Sequence, residues 1–376
     1  MQISLPKSIN YVLDTLHKAG FKAYIVGGCV RDILCEKTPN DFDITTSALP
    51  ENIKKLFSKT VETGIKHGTV TVIVDGAQIE VTTFRTEGKY IDHRRPESVE
   101  FVSDVKYDLS RRDFTVNAMC YNHEEGLIDL FGGRDDIKNR CLRAVGDPIL
   151  RFNEDALRIL RLVRFAATLG FTPDANTLNA AKLCRGGLKS VSAERIFSEL
   201  KKAASGNNFT PLNEIISCGA LEHLGIVNPI DNNFKHLEPL EDLRLFAFLN
   251  QISSDLPYTL KSLKCSNKFY NYCTLLNEIT VPDTRYEIKK ILNRAGYDIL
   301  CDYTRLTGLT DKLIHIADDI IAKGEAYKLS HLKLNGQDIA KHGICGEEIG
   351  KRLEYLLDLV MQKPELNTRD SLIELI

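Results

Sequence analysis

The stretch Asn40-Asp41-Phe42-Asp43-Ile44-Thr45 decides how this chain is read. Two carboxylates, Asp41 and Asp43, flank one hydrophobic residue. On an extended strand, residues i and i+2 point to the same face, so both acids look one way and Phe42 looks into a core. Carboxylates so placed suit one or two Mg²⁺ ions, because hard divalent cations take oxygen ligands and let substrate phosphates complete the shell. Taken alone, such a pair is more often solvated surface charge, and some belong to nucleotide-sugar glycosyltransferases. Its neighbours decide.

Upstream, residues 6–19 carry Ile9, Val12, Leu13 and Leu16 at helical spacing, and Gly20 ends the pattern. A β-rich run follows at 21–26, then Gly27-Gly28, then a predicted helix with Arg31 and Asp32. Strand, glycine turn and helix start together make an anion site, because free backbone N–H groups point away from the turn. A Rossmann-type turn is the plain alternative, but there is no GxGxxG and no continuing βαβ pattern. Downstream, a helix is predicted at 50–58. Strands are predicted at 70–74 and 78–84, joined by Asp75-Gly76, a strong hairpin signal. In Ile79-Glu80-Val81 the apolar neighbours belong in the core, so Glu80 faces the same side as Asp41 and Asp43. A third carboxylate on an adjacent strand suits two-metal phosphoryl chemistry; a solvated edge-strand face is the competing reading.

With 376 residues the chain exceeds one ordinary core, so two to four domains are expected. A hydrophobic fraction of 43% with 27% charged residues is that of a soluble globular protein. A net charge of -2 means that any nucleic-acid site must be a local basic patch. No apolar run is long enough to span a bilayer, and the start MQISLPKSIN has no signal-like apolar core. The ten cysteines show no CxxC pair and read as reduced thiols in a cytoplasmic protein.

Taken in order, GG, DFD and IEV resemble the nucleotidyltransferase fold shared with DNA polymerase β. Longer strings resemble one branch of it, the class II tRNA CCA-adding enzymes and bacterial poly(A) polymerases. They are YIVGGCVRD, PNDFDITTSALP, VTTFRTEGKYIDHRRPESVEF, DLSRRDFTVNAM, DLFGGRDDI and RFNEDALRILRLVRFAATLGF, with a weaker SAERIFSEL. The resemblance implies an α+β head followed by an all-α neck, body and tail, with boundaries at 1–142, 143–205, 206–305 and 306–376. It implies addition of C, C and A to the 3′ end of tRNA from CTP and ATP. Asp41 and Asp43 would hold Mg²⁺, with Glu80 assisting, and Gly28, Arg31 and Arg112 would hold the triphosphate. Arg85 to Val99 reads as a long mobile loop. Its EGKYIDHRRP resembles the flexible loop of the full CCA-adding enzymes. Gly132-Gly133, with Asp129 at its entry, reads as a structural turn.

A single helix is predicted from Glu154 to Leu169, with Leu157, Leu160 and Phe165 on its apolar side. Asp155 and Arg158, at i and i+3, then share a face. As a surface ion pair they would be worth little. As a hydrogen-bonding pair they are selective: a carboxylate only accepts and a guanidinium only donates. Cytosine and adenine both place an amino donor beside a ring-nitrogen acceptor, whereas uracil and guanine reverse that order and would leave buried groups unpaired. This resembles the family's protein template for bases, carried here by Glu154, Asp155 and Arg158. The resemblance also places Arg161 and Arg164 at the nucleotide; contacts to tRNA phosphate or structural pairing remain open for both.

Beyond residue 205 the pattern is helical. Lys261 to Tyr272 interleaves lysines with aromatics, which suits either RNA or a core face with a solvated lysine side. Ile349, Leu353, Leu356, Leu357 and Val360 mark one side of a late helix. The alternatives are a poly(A) polymerase, a CC-only or A-only relative, and an inactive RNA-binding descendant. Intact Asp41 and Asp43 argue against the last.

Overall fold

Helix α1 (Lys7–Lys18) buries Ile9, Val12, Leu13 and Leu16 as one stripe, as their spacing dictates. The computed structural model describes residues 3–88, 99–230, 234–309 and 312–376. The head strands are β1 (Ala23–Val26), β2 (Asp43–Thr46), β3 (Thr60–Gly64), β4 (Thr69–Val74), β5 (Ala77–Thr83), β6 (Arg85–Glu87), β7 (Val99–Phe101), β8 (Met119–Asn122) and β9 (Gly126–Asp129). Among the described residues seven of them form one sheet in the order β3-β4-β5-β2-β1-β8-β9. Strands β2 and β5 run parallel at its centre, and the other neighbours are antiparallel. Asp75 and Gly76 take φ of 49° and 81°, as a two-residue Asp-Gly hairpin requires.

Period-2 alternation gives the sheet two different faces. Ile25, Ile44, Val70, Val72, Ile79 and Val81 pack with α1, α2 (Gly28–Leu34) and α3 (Pro50–Leu56). Each such side chain is worth about 1.5–3 kcal/mol when fully buried. Tyr24, Val26 and Phe84 turn to the other face, where α4 (Val105–Ser110) adds Val105 and Leu109. Asp129 ends β9 and accepts the N–H groups of Gly133 (2.8 Å) and Arg134 (2.9 Å), starting α5 (Gly133–Lys138). A Cβ at Gly133 would stand 2.3 Å from the Thr115 carbonyl oxygen, so this turn tolerates no side chain.

Two expectations change. The helix predicted for 154–169 is two helices, α6 (Pro148–Glu154) and α7 (Leu157–Leu169). Asp155 lies between them with φ -140° and ψ 103°, and its carboxylate accepts the N–H of Leu157 at 3.1 Å. A short acceptor side chain at this point caps a new helix instead of continuing the old one. The loop expected from Arg85 to Val99 is shorter than its sequence suggests. Its two ends, β6 and β7, pair antiparallel with Arg85 opposite Phe101. Lys89 to Pro96, with Tyr90, Asp92, Arg94 and Arg95, lie outside the described residues.

Two further helices, α8 (Ala175–Leu183) and α9 (Ala193–Ala204), complete the neck, and α9 packs along α7. By packing, one unit comprises Met1–Lys235 with Phe248–Lys264, and a second comprises His236–Ala247 with Cys265–Ile376. The described residues of the second unit form helices and connecting turns without strands. The boundary expected at 305/306 falls inside its helix Tyr297–Thr307. Ile349, Leu353, Leu356, Leu357 and Val360 all join one apolar cluster there. Lys289, 1% exposed, reaches Glu325 at 2.7 Å and donates to the Met361 carbonyl at 3.1 Å, so its charge is paired. No helix among the described residues is long and apolar enough to cross a membrane.

Candidate active site

Because Phe42 and Ile44 pack with the α1 layer, Asp43 and Thr45 face the opposite side of β2. Asp43 stands directly across from Glu80 in the parallel β2–β5 register. Asp41 lies two residues before the first residue of the strand, and both aspartates line a cleft of about 730 Å³. Asp43 keeps an open face toward this cleft, yet the protein packed beneath it removes part of its hydration. That loss, and then the Asp41 charge, push its pKa up to about 6, with Arg112 opposing and Glu80 adding to the rise. Glu80 is solvent-exposed and does not line the cleft; its effect here is through charge.

Among the described residues, no three His, Cys, Asp or Glu side chains gather into a complete metal ligand set. Asp41 and Asp43 therefore form an open two-carboxylate site. Their mutual repulsion and hard oxygen donors fit a divalent cation that keeps water or substrate oxygens in its shell.

A cationic wall rises beside them. Asp108 is fully buried and accepts from Arg111 Nε (3.0 Å) and Nη2 (2.8 Å), from Arg112 Nη2 (3.4 Å) and from Thr45 Oγ1 (3.2 Å). Burial alone would raise its pKa, but the two guanidiniums outweigh burial and hold it below the usual carboxylate range. Arg31 donates to Asp32 Oδ1 (2.7 Å) and to Asn117 Oδ1 (2.7 Å). Gly27, at φ 83° and ψ -128°, brings the main chain against Arg112, where a Cβ would meet Nη1 at 2.7 Å. Gly28, the residue singled out from sequence, lines the cleft in ordinary helical geometry; Gly27 is the position that demands glycine.

The neck closes the far side. Arg158, 8% exposed, does not pair with Asp155. It donates to Glu154, to the Arg151 carbonyl (2.9 Å) and to the Arg111 carbonyl (3.0 Å). Asp155 pairs instead with Arg195 Nη2 at 2.9 Å. Glu154 also holds Arg151 at 2.8 Å and is not part of the cleft wall. Arg161 Nε donates to the buried Asp113 at 2.6 Å. Burial would raise the Asp113 pKa, but the Arg161 charge and the bonds from Asn117 and Arg161 hold it well below the ordinary range. Arg164 Nε lies 3.2 Å from Glu199 Oε2 in poor geometry, and both atoms lack a hydrogen bond. Arg112 Nε and Arg195 Nη1 are orphaned likewise.

Among the described residues, eight cationic side chains and four carboxylates line the cleft, so it favours a polyanion. Asp41, Asp43, Gly28, Arg31, Arg112, Asp155, Arg158, Arg161 and Arg164 meet here. Sequence reasoning assigned no site role to Asp113, Asn117, Phe165, Arg195 and Lys202. The first two stand within DLSRRDFTVNAM, Phe165 within RFNEDALRILRLVRFAATLGF and Arg195 within SAERIFSEL, so for these four the strings held the available signal.

Paired carboxylates at the start of the central strand of such a sheet, facing a cationic cleft closed by a helical neck, define a nucleotidyltransferase of the polymerase-β fold. The family model "Poly A polymerase head domain" matches residues 23–143, and "Probable RNA and SrmB- binding site of polymerase A" matches residues 170–225. The CCA-adding enzyme of Lactobacillus helveticus (strain DPC 4571) is 37% identical over 380 residues, covering 96% of this chain and 94% of its own. That of Staphylococcus epidermidis (strain ATCC 12228 / FDA PCI 1200) is 34% identical over 383 residues, covering 96% and 95%. The crystal structure of the Bacillus stearothermophilus CCA-adding enzyme in complex with CTP is similar with a TM-score of 0.75 at 29% identity, covering 97% of this chain and 94% of that one. The chain belongs to the CCA-adding enzyme family.

Proposed function

We propose that this protein adds C, C and A to the 3′ end of tRNA from CTP and ATP without a nucleic-acid template. The observation that carries the reading is that Asp41 and Asp43 share one cleft with the arginine wall and with Asp155 and Arg158. The tRNA 3′-hydroxyl oxygen forms a bond to the α-phosphorus as its O–H bond breaks and the proton passes to water, the bond from that phosphorus to the bridging oxygen breaks, and pyrophosphate leaves. Asp41 and Asp43 would hold Mg²⁺, which supplies activation of the hydroxyl and charge neutralisation of the leaving phosphates. Arg31 and Arg112 orient the triphosphate, with Gly28 allowing close approach, and this positioning carries much of the rate. Glu80 raises the local negative charge that draws cations to Asp43.

For base choice, Asp155 accepts from the exocyclic amino group of cytosine or adenine, and Arg158 donates to the adjacent ring nitrogen. Asp155 is held by Arg195, and Arg158 by Glu154 and the carbonyls of Arg151 and Arg111, so the base takes over contacts already made within the neck and between neck and head. The helical remainder binds the tRNA acceptor end through shape and phosphate contacts.

The test uses tRNA lacking its 3′ CCA, offered each labelled nucleotide singly and then CTP with ATP, with product lengths read on a gel. CTP alone should extend by two residues, and CTP with ATP by three; UTP and GTP should not be used. A ladder of A from ATP alone would establish a poly(A) polymerase instead, and no extension at all would overturn the assignment.

A further inference from the structure

We infer that Phe165 is a positioning residue for the nucleotide's polyphosphate: its ring gathers three guanidiniums, above all that of Arg164, and presents them to the cleft. The inference rests on the nucleotidyl-transfer reading above.

The guanidinium carbons of Arg164, Arg31 and Arg161 lie 4.1, 5.1 and 5.5 Å from the Phe165 ring centre. All three arginines and the ring line the same cleft. Arg31 comes from the head and the other two from α7, so one ring joins cations from two parts of the fold. Phe165 is itself held: the ring of the fully buried Phe114 meets it edge-on at 5.8 Å and 85°.

The three cations differ in what else holds them. Arg31 is fixed by Asp32 and Asn117, and Arg161 by Asp113. Arg164 has Glu199 as its carboxylate neighbour, and the facing atoms make no hydrogen bond. The ring, with the Glu199 charge beside it, therefore sets how Arg164 lies. A guanidinium's donors lie in its plane, whereas a ring attracts it through the π face. A guanidinium held over the ring face keeps its in-plane N–H groups for phosphate oxygens; a well-formed carboxylate pair would occupy them. Burial lowers the Arg164 pKa, Glu199 opposes this, and the nearby Arg161 and Arg31 charges lower it further. Like charges converging on one ring repel until an anion enters between them.

The decisive experiment replaces Phe165 by 4-fluoro-, 3,5-difluoro- and pentafluorophenylalanine in the full chain. Volume changes little along this series while the negative ring face weakens stepwise. Binding of CTP and of inorganic tripolyphosphate is measured by calorimetry, with KM and kcat for addition to tRNA and thermal midpoints alongside. Kd for both ligands and KM for CTP should rise stepwise, reaching about tenfold, the scale of a partly desolvated cation–π contact. Thermal midpoints should stay level. Phe165→Leu should show a similar loss, and Arg164→Ala combined with it should add little. A flat fluorine series overturns the proposal and leaves Phe165 as apolar packing, whether or not Phe165→Leu folds. Failure of the wild type to extend tRNA would instead remove the functional reading; the tripolyphosphate titration would still test the ring.

Discussion

Gly27→Ala should cost both stability and nucleotide use, and the two losses are separable. At φ 83° and ψ -128° the main chain of Gly27 is in a region that L side chains rarely enter. Holding alanine there costs about 1–3 kcal/mol. The new Cβ would also stand 2.7 Å from Arg112 Nη1 and 3.8 Å from its Cζ. Arg112 is lightly held, with Nη2 3.4 Å from Asp108 and Nε without a partner, so the guanidinium yields and leaves its place in the cleft. A hydrogen bond to a charged group is worth about 1.5–3 kcal/mol, so kcat/KM for CTP should fall roughly ten- to 150-fold. Gly28→Ala is the internal comparison. Its Cβ would lie 3.6 Å from Arg31 Nη2, an ordinary contact, and its φ is that of a helix. Stability should therefore hold or rise by up to about 1 kcal/mol. Urea unfolding gives the first quantity and single-nucleotide addition the second. Equal stability for the two variants, or an unchanged kcat/KM in Gly27→Ala, refutes the reasoning.

Asp43→Asn should abolish addition yet raise the thermal midpoint in metal-free buffer: burial and Asp41 raise the Asp43 pKa, so the fold disfavours its ionised form at neutral pH. A midpoint that falls, or near-normal turnover at saturating Mg²⁺, contradicts this. Arg195→Ala should release Asp155 and slow CTP and ATP use with more UTP misincorporation; unchanged kinetics and fidelity would assign the pair a purely structural role. The depressed pKa values of Asp108 and Asp113 contribute stability that is present above the ordinary carboxylate pKa of about 4 and lost as pH falls through their folded values. Midpoints recorded down to about pH 2 should decline over that window, less steeply in Asp113→Asn. Replacing Lys89 to Pro96 by a short Gly-Ser link should preserve CC addition and impair the terminal A; full-rate A addition would place the switch elsewhere.

The head was legible because strand alternation is a local rule. Phe42 and Ile44 going inward fixes Asp43 on the other face, and Ile79 and Val81 fix Glu80 beside it. The Asp75-Gly76 hairpin was equally local. What sequence missed depends on partners far along the chain. EDALR reads as helix because nothing near it announces that Asp155 will cap Leu157 and pair with Arg195, 40 residues on. Asp108 looks like one more surface acid until Thr45, Arg111 and Arg112 enclose it. Nor does the string GG say which glycine carries the positive φ; only the packing of Arg112 against Gly27 does.

The break at Asp155 bears on how a small site can be selective. Were Asp155 and Arg158 on one continuous helix with free side chains, any base offering partial hydrogen bonding would gain by binding. Here both are already satisfied, Asp155 by Arg195 and Arg158 by Glu154 and two carbonyls. On the proposed reading, a base must replace those contacts, so only the difference between old and new hydrogen bonds favours binding. Cytosine and adenine return an equivalent set. Uracil and guanine face the carboxylate with a carbonyl and the guanidinium with an N–H, so they replace satisfied groups with unsatisfied ones. The internal partners thus weaken every nucleotide by a common amount, and the choice among bases comes from the buried groups that uracil and guanine leave unpaired.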